Sequence, residues 1–140
     1  MSTLPKQLSE CTVFLLAKAY QRAHGEFKKL LKPYGLTNIQ HLVLESLRHE
    51  PGATAAEIGK LLVLDKATLS GVIDRLCESE WIVKKSDSGD SRVQRVYLLD
   101  KSLEIAEKIS EKRHEFDEAL LTDFSIEERV LLKRLLKELI

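Results

Sequence analysis

The chain has little of what would point to disulfide bonds, a membrane span or a strongly charged ligand. It has two cysteines, too few for a disulfide scaffold and without the spacing of metal ligands. Basic and acidic residues number 22 each, so the net charge favours neither nucleic acid nor an anionic membrane. No apolar run approaches the roughly 20 residues of a membrane span, and no signal peptide is apparent. We therefore expect a cytoplasmic protein with no membrane partner.

Patterns that would indicate an enzyme or a metal centre are also missing from the sequence. The six glycines are dispersed and form no phosphate-binding loop. No nucleophile lies near a base, and no pair of carboxylates has a meaningful spacing. The four histidines are scattered, and no two of them have ligand spacing. The sequence therefore predicts neither catalysis nor a metal site, and it implies no cofactor.

The chain does have enough apolar residues for one folded domain over residues 1–140. Of its residues 44% are hydrophobic and 31% charged, near the values of globular proteins. Apolar residues recur at helical spacing from Leu8 to about Lys32, and Pro33 ends this helix. Three further helices are predicted where capping boxes stand, at Thr37-Asn38-Ile39-Gln40, Thr54-Ala55-Ala56-Glu57 and Ser125-Ile126-Glu127-Glu128.

Two predicted helices lie close enough along the chain to form a helix-turn-helix. The first is short, from Ala55 to about Leu62. The second, from Lys66 to about Ser79, has Asp65 as its expected N-cap. Its apolar residues follow the spacing of one buried helix face, namely Leu69, Val72, Ile73 and Leu76. A short helix, a tight turn and a longer helix are typical of a helix-turn-helix.

The hydrophobic period changes after this pair of helices. Residues 81–84 and 92–98 are rich in β-branched and aromatic side chains, and a turn cluster at 86–90 separates them. This pattern predicts one β-hairpin with a long polar tip. Residues 101–121 return to helical spacing, and the helix after Ser125 has more apolar surface than one intramolecular face needs. The predicted fold is mostly α-helical with a small β-hairpin wing.

A helix-turn-helix followed by a hairpin is the plan of a winged helix-turn-helix, which suits duplex DNA. Its second helix fits the major groove, about 12 Å wide, and the hairpin reaches the neighbouring groove. Off the buried stripe lie candidate DNA contacts, namely Lys66, Thr68, Ser70 and Arg75, with Lys84 from the hairpin. Residues 66–95 have six basic and five acidic side chains, so the prediction depends on arrangement alone. Alternatively, these side chains are only solvated, and Arg75 pairs with Glu78.

These segments resemble the MarR-type transcriptional regulators over nearly the whole chain. The resemblance is strongest over residues 64–76, 81–84 and 87–92. The wing of that family has an Asp-x-Arg motif, matched here by Asp90-Ser91-Arg92. The resemblance implies that Asp90 orients Arg92, whose guanidinium enters the minor groove.

The chain departs from the family pattern around the hairpin. It has Glu80 where the family usually has a glycine before the first strand. Leu99 and Ser102 stand where a threonine and, three residues on, a glycine often follow the second strand. We expect these departures to affect turns, and so to affect local geometry more than function.

The resemblance also implies how the protein assembles and acts. Members of the family are homodimers joined through their first and last helices, here about 7–32 and 101–140, which flank a winged helix-turn-helix at about 37–99. Such a dimer binds a pseudo-palindromic operator in double-stranded DNA, more often as a repressor than as an activator. The alternative function is a winged-helix protein-interaction module without specific DNA binding.

Two mechanisms for releasing the operator remain open at this stage. In the family, small aromatic or phenolic effectors bind between the helical dimer region and the DNA-reading part, which here involves Tyr20, His24 and His41. The competing mechanism is oxidation of Cys11 near the start of the first helix. The family's peroxide sensors have a reactive cysteine just before a phenylalanine, where this chain has Val13, so that chemistry is not transferred.

Overall fold

The protein is mostly α-helical with one β-hairpin, as the sequence predicts. The computed structural model describes residues 4–140. Its elements in chain order are α1 (Lys6–Ser9), α2 (Thr12–Leu31), a 3-10 turn (Lys32–Tyr34), α3 (Asn38–His49), α4 (Ala55–Leu62), α5 (Lys66–Glu78), β1 (Ile82–Ser86), β2 (Gln94–Leu98), α6 (Asp100–Leu120) and α7 (Ile126–Glu138). None of the helices in this described part is long and apolar enough to cross a membrane.

The predicted helix caps all form. Thr37, Thr54 and Ser125 each accept a hydrogen bond from the third backbone N–H of their helix, and the Gln or Glu at that position bonds back. Asp65 caps α5, where its Oδ1 accepts from the N–H of Thr68 at 2.8 Å. These side chains satisfy N–H groups that a helix start leaves without partners, so the local sequence sets where α3, α4, α5 and α7 begin.

The first predicted helix is divided in two, which corrects the expectation of one continuous helix. The backbone of Cys11 is extended, with φ −79° and ψ 112°, so Cys11 is the N-cap of α2 rather than a residue within a helix. Before this break, the hydroxyl of Ser9 donates to the carbonyl of Lys6 at 3.0 Å, and the N–H of Cys11 donates to Leu8 at 3.1 Å. These local bonds offer the backbone an alternative to continuing the helix.

One hydrophobic core lies between α3, α4, α5 and the hairpin, and the end of α2 and the middle of α6 close it. Of the stripe predicted for α5, Leu69, Ile73 and Leu76 are buried, and Val72 packs against them half-buried. The other fully buried aliphatic side chains are Leu31, Val43, Leu44, Leu47, Ile58, Val96 and Ile109. The core therefore holds α5 rigidly and leaves its opposite face to solvent.

The hairpin is joined to the connection between α3 and α4. β1 and β2 pair antiparallel, and Val96 in β2 makes two further backbone bonds. Its N–H donates to Ala53 at 3.1 Å, and its carbonyl accepts from Gly52 at 3.0 Å. Gly52 has φ +82°, and a Cβ there would lie 2.8 Å from the Oη of Tyr97. Both conformation and space therefore require a glycine where the wing meets the body.

Candidate nucleic-acid interface

The first turn of α5 is exposed and organised by its N-cap. Besides the backbone bond, the hydroxyl of Thr68 donates to Asp65 Oδ2 at 2.7 Å. This hydrogen bond holds the pKa of Asp65 below its usual value. The Thr68 hydroxyl proton is therefore committed to the cap, which leaves its oxygen lone pairs to accept a bond from a partner. Its predicted role as a DNA contact narrows to that of an acceptor.

Three other predicted contacts on α5 face solvent without a partner. Lys66, Ser70 and Arg75 are all exposed. Within residues 4–140 the side-chain ion pair of α5 runs from Asp74 to the hairpin, and Arg75 pairs with no carboxylate. The alternative pairing of Arg75 with Glu78 is therefore not formed. Two cations and a hydroxyl on the exposed surface of α5 therefore have no partner among residues 4–140.

Lys84 connects the hairpin to α5. Its Nζ lies 2.8 Å from Asp74 Oδ1, and this hydrogen bond raises the pKa of Lys84 above its usual value. Both side chains are about half exposed, so the pair is solvated and contributes little to stability by itself. A phosphate that approached Lys84 would compete with Asp74. Its predicted DNA contact is weaker than that of a free lysine for this reason.

The tip of the wing presents a guanidinium held by a carboxylate. Arg92 donates from Nε to Asp90 Oδ1 at 3.1 Å and from Nη2 to Oδ2 at 3.0 Å. The backbone N–H of Arg92 also donates to Oδ1 at 3.0 Å. The bonds from Arg92 hold the pKa of Asp90 below its usual value, although 89% of the arginine side chain is exposed. Two parallel bonds fix the orientation of a cation that still faces solvent.

A second ion pair in the wing escaped the sequence prediction. Asp87 Oδ1 accepts from Arg95 Nε at 2.5 Å, and Arg95 Nη1 donates to the carbonyl of Gly52 at 3.0 Å. The pKa of Asp87 is lowered by the bond from Arg95. The signal available in the sequence was an acidic residue in the turn cluster together with a basic residue in the second strand, which could form an ion pair. Their contact depends on the hairpin register, which the sequence left open.

The three residues predicted to line an effector site are divided between two places. Tyr20 is exposed and stacks on His24, with ring centroids 5.1 Å apart. His41 is only 1% exposed and lies against Phe27, at 5.5 Å, which in turn contacts Phe116 at 5.6 Å. The first pair is a surface feature of α2, whereas His41 belongs to the interior where α2, α3 and α6 meet.

His41 is an unusual buried group because its Nε2 has no hydrogen-bond partner among the described residues. Burial is the main reason that its pKa falls from 6.5 to about 4. The positive charge of Arg113 lowers it further, and Glu45 opposes both effects. The imidazole is therefore neutral at physiological pH, and one of its nitrogens is buried without a partner among the described residues.

Next to His41, a polar cluster joins α3 to α6. Arg48 donates from Nη2 to Glu45 Oε1 at 2.7 Å and to the hydroxyl of Ser110 at 3.1 Å. Arg113 Nη2 lies 3.6 Å from the same Glu45 oxygen. These bonds connect α3 to α6, the long helix that follows the hairpin.

Both cysteines are free thiols and half-buried. Burial raises the pKa of Cys77, which suits a small apolar side chain beside the core. Cys11 stands at the N-cap of α2, and its redox role stays a prediction. Within residues 4–140 no group of three or more potential ligands is placed to hold a metal ion.

The exposed face of α5, the tight turn before it and the wing behind it together define a winged helix-turn-helix, a class of DNA-binding protein. Residues 34–93 match the model described as MarR family. The chain is 32% identical over 108 residues to the uncharacterized HTH-type transcriptional regulator YwoH of Bacillus subtilis, covering 76% of this chain and 77% of that protein. It belongs to the MarR family of transcriptional regulators.

Two further comparisons extend over almost the whole chain. The HTH-type transcriptional repressor NicR of Pseudomonas putida is 29% identical over 140 residues, which are 100% of this chain and 89% of that protein. The solved structure of BpsR from Bordetella bronchiseptica superposes with a TM-score of 0.88 at 27% identity and 97% coverage of both chains. That structure is described as showing how 6-hydroxynicotinic acid regulates DNA binding by BpsR.

Proposed function

We propose that this chain is a homodimeric repressor that binds a pseudo-palindromic operator with α5 and the wing. The observation that carries the proposal is the exposed Arg92 guanidinium, which donates two parallel bonds to Asp90 in the hairpin that follows α5. A helix of this kind reads base edges in the major groove. A guanidinium suits the negative potential of a narrow minor groove. The protein works in the cytoplasm and has no catalytic role.

Each candidate side chain has a distinct role in this proposal. Lys66 and Ser70 contact bases or phosphates from the first turn of α5, and Thr68 contributes an acceptor. Arg75, two turns along, reaches a phosphate, and Lys84 does so at the cost of its bond to Asp74. Contacts to phosphates give affinity and fix the register on the duplex, whereas contacts to base edges give sequence specificity.

The proposed dimer covers apolar surface that one chain leaves in solvent. On α7 the exposed apolar side chains are Ile126, Val130, Leu131, Leu132, Leu135 and Leu136, and Leu139 follows at the C-cap. On α1 and α2 they are Leu8, Val13, Leu15, Leu16 and Tyr20. Exposed apolar side chains in this number on neighbouring turns of a helix are typical of an interface rather than of a free surface. A two-fold dimer matches the symmetry of a pseudo-palindromic operator.

The proposed effector is a small aromatic or phenolic molecule, bound near His41 where α2, α3 and α6 meet. His41 offers an unpaired nitrogen, and Phe27 and Phe116 offer aromatic faces. Likeness to BpsR, which 6-hydroxynicotinic acid regulates, supports this ligand class. An effector releases the operator only by its greater affinity for the dimer whose two α5 helices are wrongly spaced. A factor of ten in that preference equals about 1.4 kcal/mol.

The test is a titration of labelled duplex from the DNA upstream of its own gene, at several salt concentrations. Arg92→Ala is expected to weaken binding about 10- to 100-fold while the melting temperature stays unchanged, because the side chain is exposed. Asp90→Ala is expected to give a smaller loss, and Arg92→Lys controls for charge without the two-pronged geometry. Wild-type affinity of Arg92→Ala would show that the wing assignment is wrong.

The salt series separates the alternative of a protein-interaction module. A DNA-binding dimer loses affinity with a log–log slope of about −0.9 for each phosphate neutralised. An affinity that does not change with salt concentration or DNA sequence would contradict the operator proposal. In that case, capture of a protein partner by the same surface becomes the function to pursue.

A further inference from the structure

The wing is connected to the body of the protein by a polar contact that we call the wing latch, formed by Asp87, Arg95 and the carbonyl of Gly52. Arg95 bridges the two others, through Nε to Asp87 and through Nη1 to Gly52. Gly52 lies before α4 and is itself bonded to β2 through Val96. The latch therefore joins the start of the hairpin loop to the segment that leads into the helix-turn-helix.

From the latch, a chain of hydrogen bonds leads to the tip of the wing. Asp87 Oδ2 accepts from the N–H of Gly89 at 3.0 Å and from that of Asp90 at 3.1 Å. The N–H of Asp87 donates to the carbonyl of Val93 at 2.9 Å, which closes the loop. Asp90 in turn holds Arg92. A loop tip otherwise bends freely, so this succession of bonds determines where the Arg92 guanidinium lies relative to α5.

Arg95 differs from Arg92 in where its charge is used. Its side chain is 38% exposed, against 89% for Arg92, and both its bonds lead inward to the protein. The pKa of Arg95 is raised chiefly by the hydrogen bond to Asp87. Its planar fork makes two bonds in fixed directions, which a lysine does not reproduce.

We propose that Arg95 is a positioning residue for operator binding, which acts by holding Asp87 and so aiming Arg92 at the minor groove. This inference rests on the proposed function, because it needs Arg92 to contact DNA. It differs from a phosphate contact by Arg95 itself, which would add to the contact of Arg92. It also differs from a merely structural role, which would lower stability and weaken every DNA contact alike.

A double-mutant cycle on operator affinity tests the proposal. Arg95→Gln is expected to weaken binding about tenfold in the wild-type background, since the guanidinium of Arg92 is no longer held in place. In the Arg92→Ala background it is expected to change affinity less than twofold, because nothing remains to be aimed. Equal losses in both backgrounds would overturn the proposal and make Arg95 a direct contact or a structural residue.

Lys85 provides the matched control. It stands opposite Arg95 in the hairpin register, and its Nζ lies over the ring of Tyr97 rather than on a carboxylate. Lys85→Gln removes the same charge from the same rung of the wing without opening the latch. If Lys85→Gln weakens operator binding as much as Arg95→Gln does, the loss comes from the removed charge and not from the latch, and the proposal is overturned.

Hydroxyl-radical footprints and a second variant cover the case in which Arg95→Gln disturbs the fold. Asp87→Asn opens the latch from the other side and is expected to repeat the non-additivity. Both variants are expected to lose protection only at the minor-groove positions that Arg92→Ala exposes. Uniform loss of protection would overturn the proposal. An Arg92→Ala protein that binds normally contradicts the proposed wing contact as well, whereas normal binding by Arg95→Gln alone contradicts only the latch.

Discussion

Two regions of the molecule bury their apolar side chains differently. They are the winged helix-turn-helix lobe, residues 37–99, and the helical arms, formed by α1, α2 and α7. The lobe supplies most of the buried core from its own three helices and hairpin. In the arms, only Phe27 and Leu31 at the end of α2 are buried, and α7 has no buried residue. A single chain can therefore complete the lobe but not the arms. The arms need a second chain to cover their apolar side chains, whereas the lobe does not.

The same contrast holds for polar groups. In the lobe, caps, the Asp90–Arg92 pair and the wing latch fix exposed side chains in defined directions. Two ion pairs join α7 to α6, Arg129 with Glu118 and Lys133 with Asp117, and Arg134 pairs with Glu138 within α7; in each pair at least one side chain is about half exposed. Exposed pairs of this kind add little to stability. Under the proposed function, DNA specificity therefore comes from the lobe and the free energy of association from the arms.

The largest expected effect breaks the arms. Leu131→Asp combined with Leu135→Asp places charge on the apolar face of α7, where both leucines are partly exposed in one chain. Four leucines, each about half exposed in one chain, are lost per dimer, so the dimer should be weakened by about 3–6 kcal/mol. Sedimentation is expected to show monomers that retain the helical signal of the lobe. Specific operator binding is lost with the dimer, because one half-site offers too few contacts.

Lys137→Asp is the control for this change. It alters the charge of α7 by the same two units at a polar position of that helix. The control should remain dimeric. A double aspartate variant that still sediments as a folded dimer would exclude α7 from the interface.

The next effect concerns the junction of lobe and arms at His41. Its folded pKa of about 4 lies below the unfolded value of 6.5, mainly because of burial. Between pH 4 and pH 6.5, His41 is protonated in the unfolded chain but not in the folded chain. Stability is therefore full above pH 6.5 and falls by about 1.4 kcal/mol per pH unit towards pH 4, about 3 kcal/mol in total.

His41→Leu isolates this contribution, because leucine fills similar space and takes up no proton. Urea unfolding of both proteins from pH 4 to 7 should show the shallower pH dependence in the variant, because the variant lacks the imidazole that the unfolded wild-type chain protonates. Parallel curves would mean that His41 has the same pKa in the folded and unfolded protein, and that a polar partner compensates its burial.

The smallest expected effect is an increase in the stability of the lobe that leaves the arms unchanged. Glu80, where the resembling family usually has a glycine, has φ +58°. A side chain in this left-handed region is strained, so Glu80→Gly is expected to stabilise by about 0.5–1 kcal/mol. A higher urea midpoint with unchanged dimer affinity is the expected result. Glu80→Ala keeps the strain and removes the solvated pair with Lys101, so a gain by alanine as well would assign the effect to charge.

The elements of the lobe were predictable because their signals are local. A capping box involves residues three apart, and the stripe of Leu69, Ile73 and Leu76 requires only the period of a helix. The break at Cys11 was missed because apolar spacing continues across it, while Ser9 turns the backbone locally. Thr68 and Lys84 were predicted as free contacts, yet each has a partner in the structure, Asp65 beside it and Asp74 across the hairpin.

The sequence by itself determined the order of helices and hairpin, the start of each capped helix and the presence of an Asp-x-Arg motif in the wing. These depend on neighbours along the chain, whose geometry is set by backbone hydrogen bonds and periodicity. The tertiary structure alone decided that Arg95 meets the Gly52 carbonyl, 43 residues away, and that His41 is buried against Phe27 without a bond for Nε2. Such contacts follow from the packing of whole elements, because the angle between two helices is set by all their side chains together.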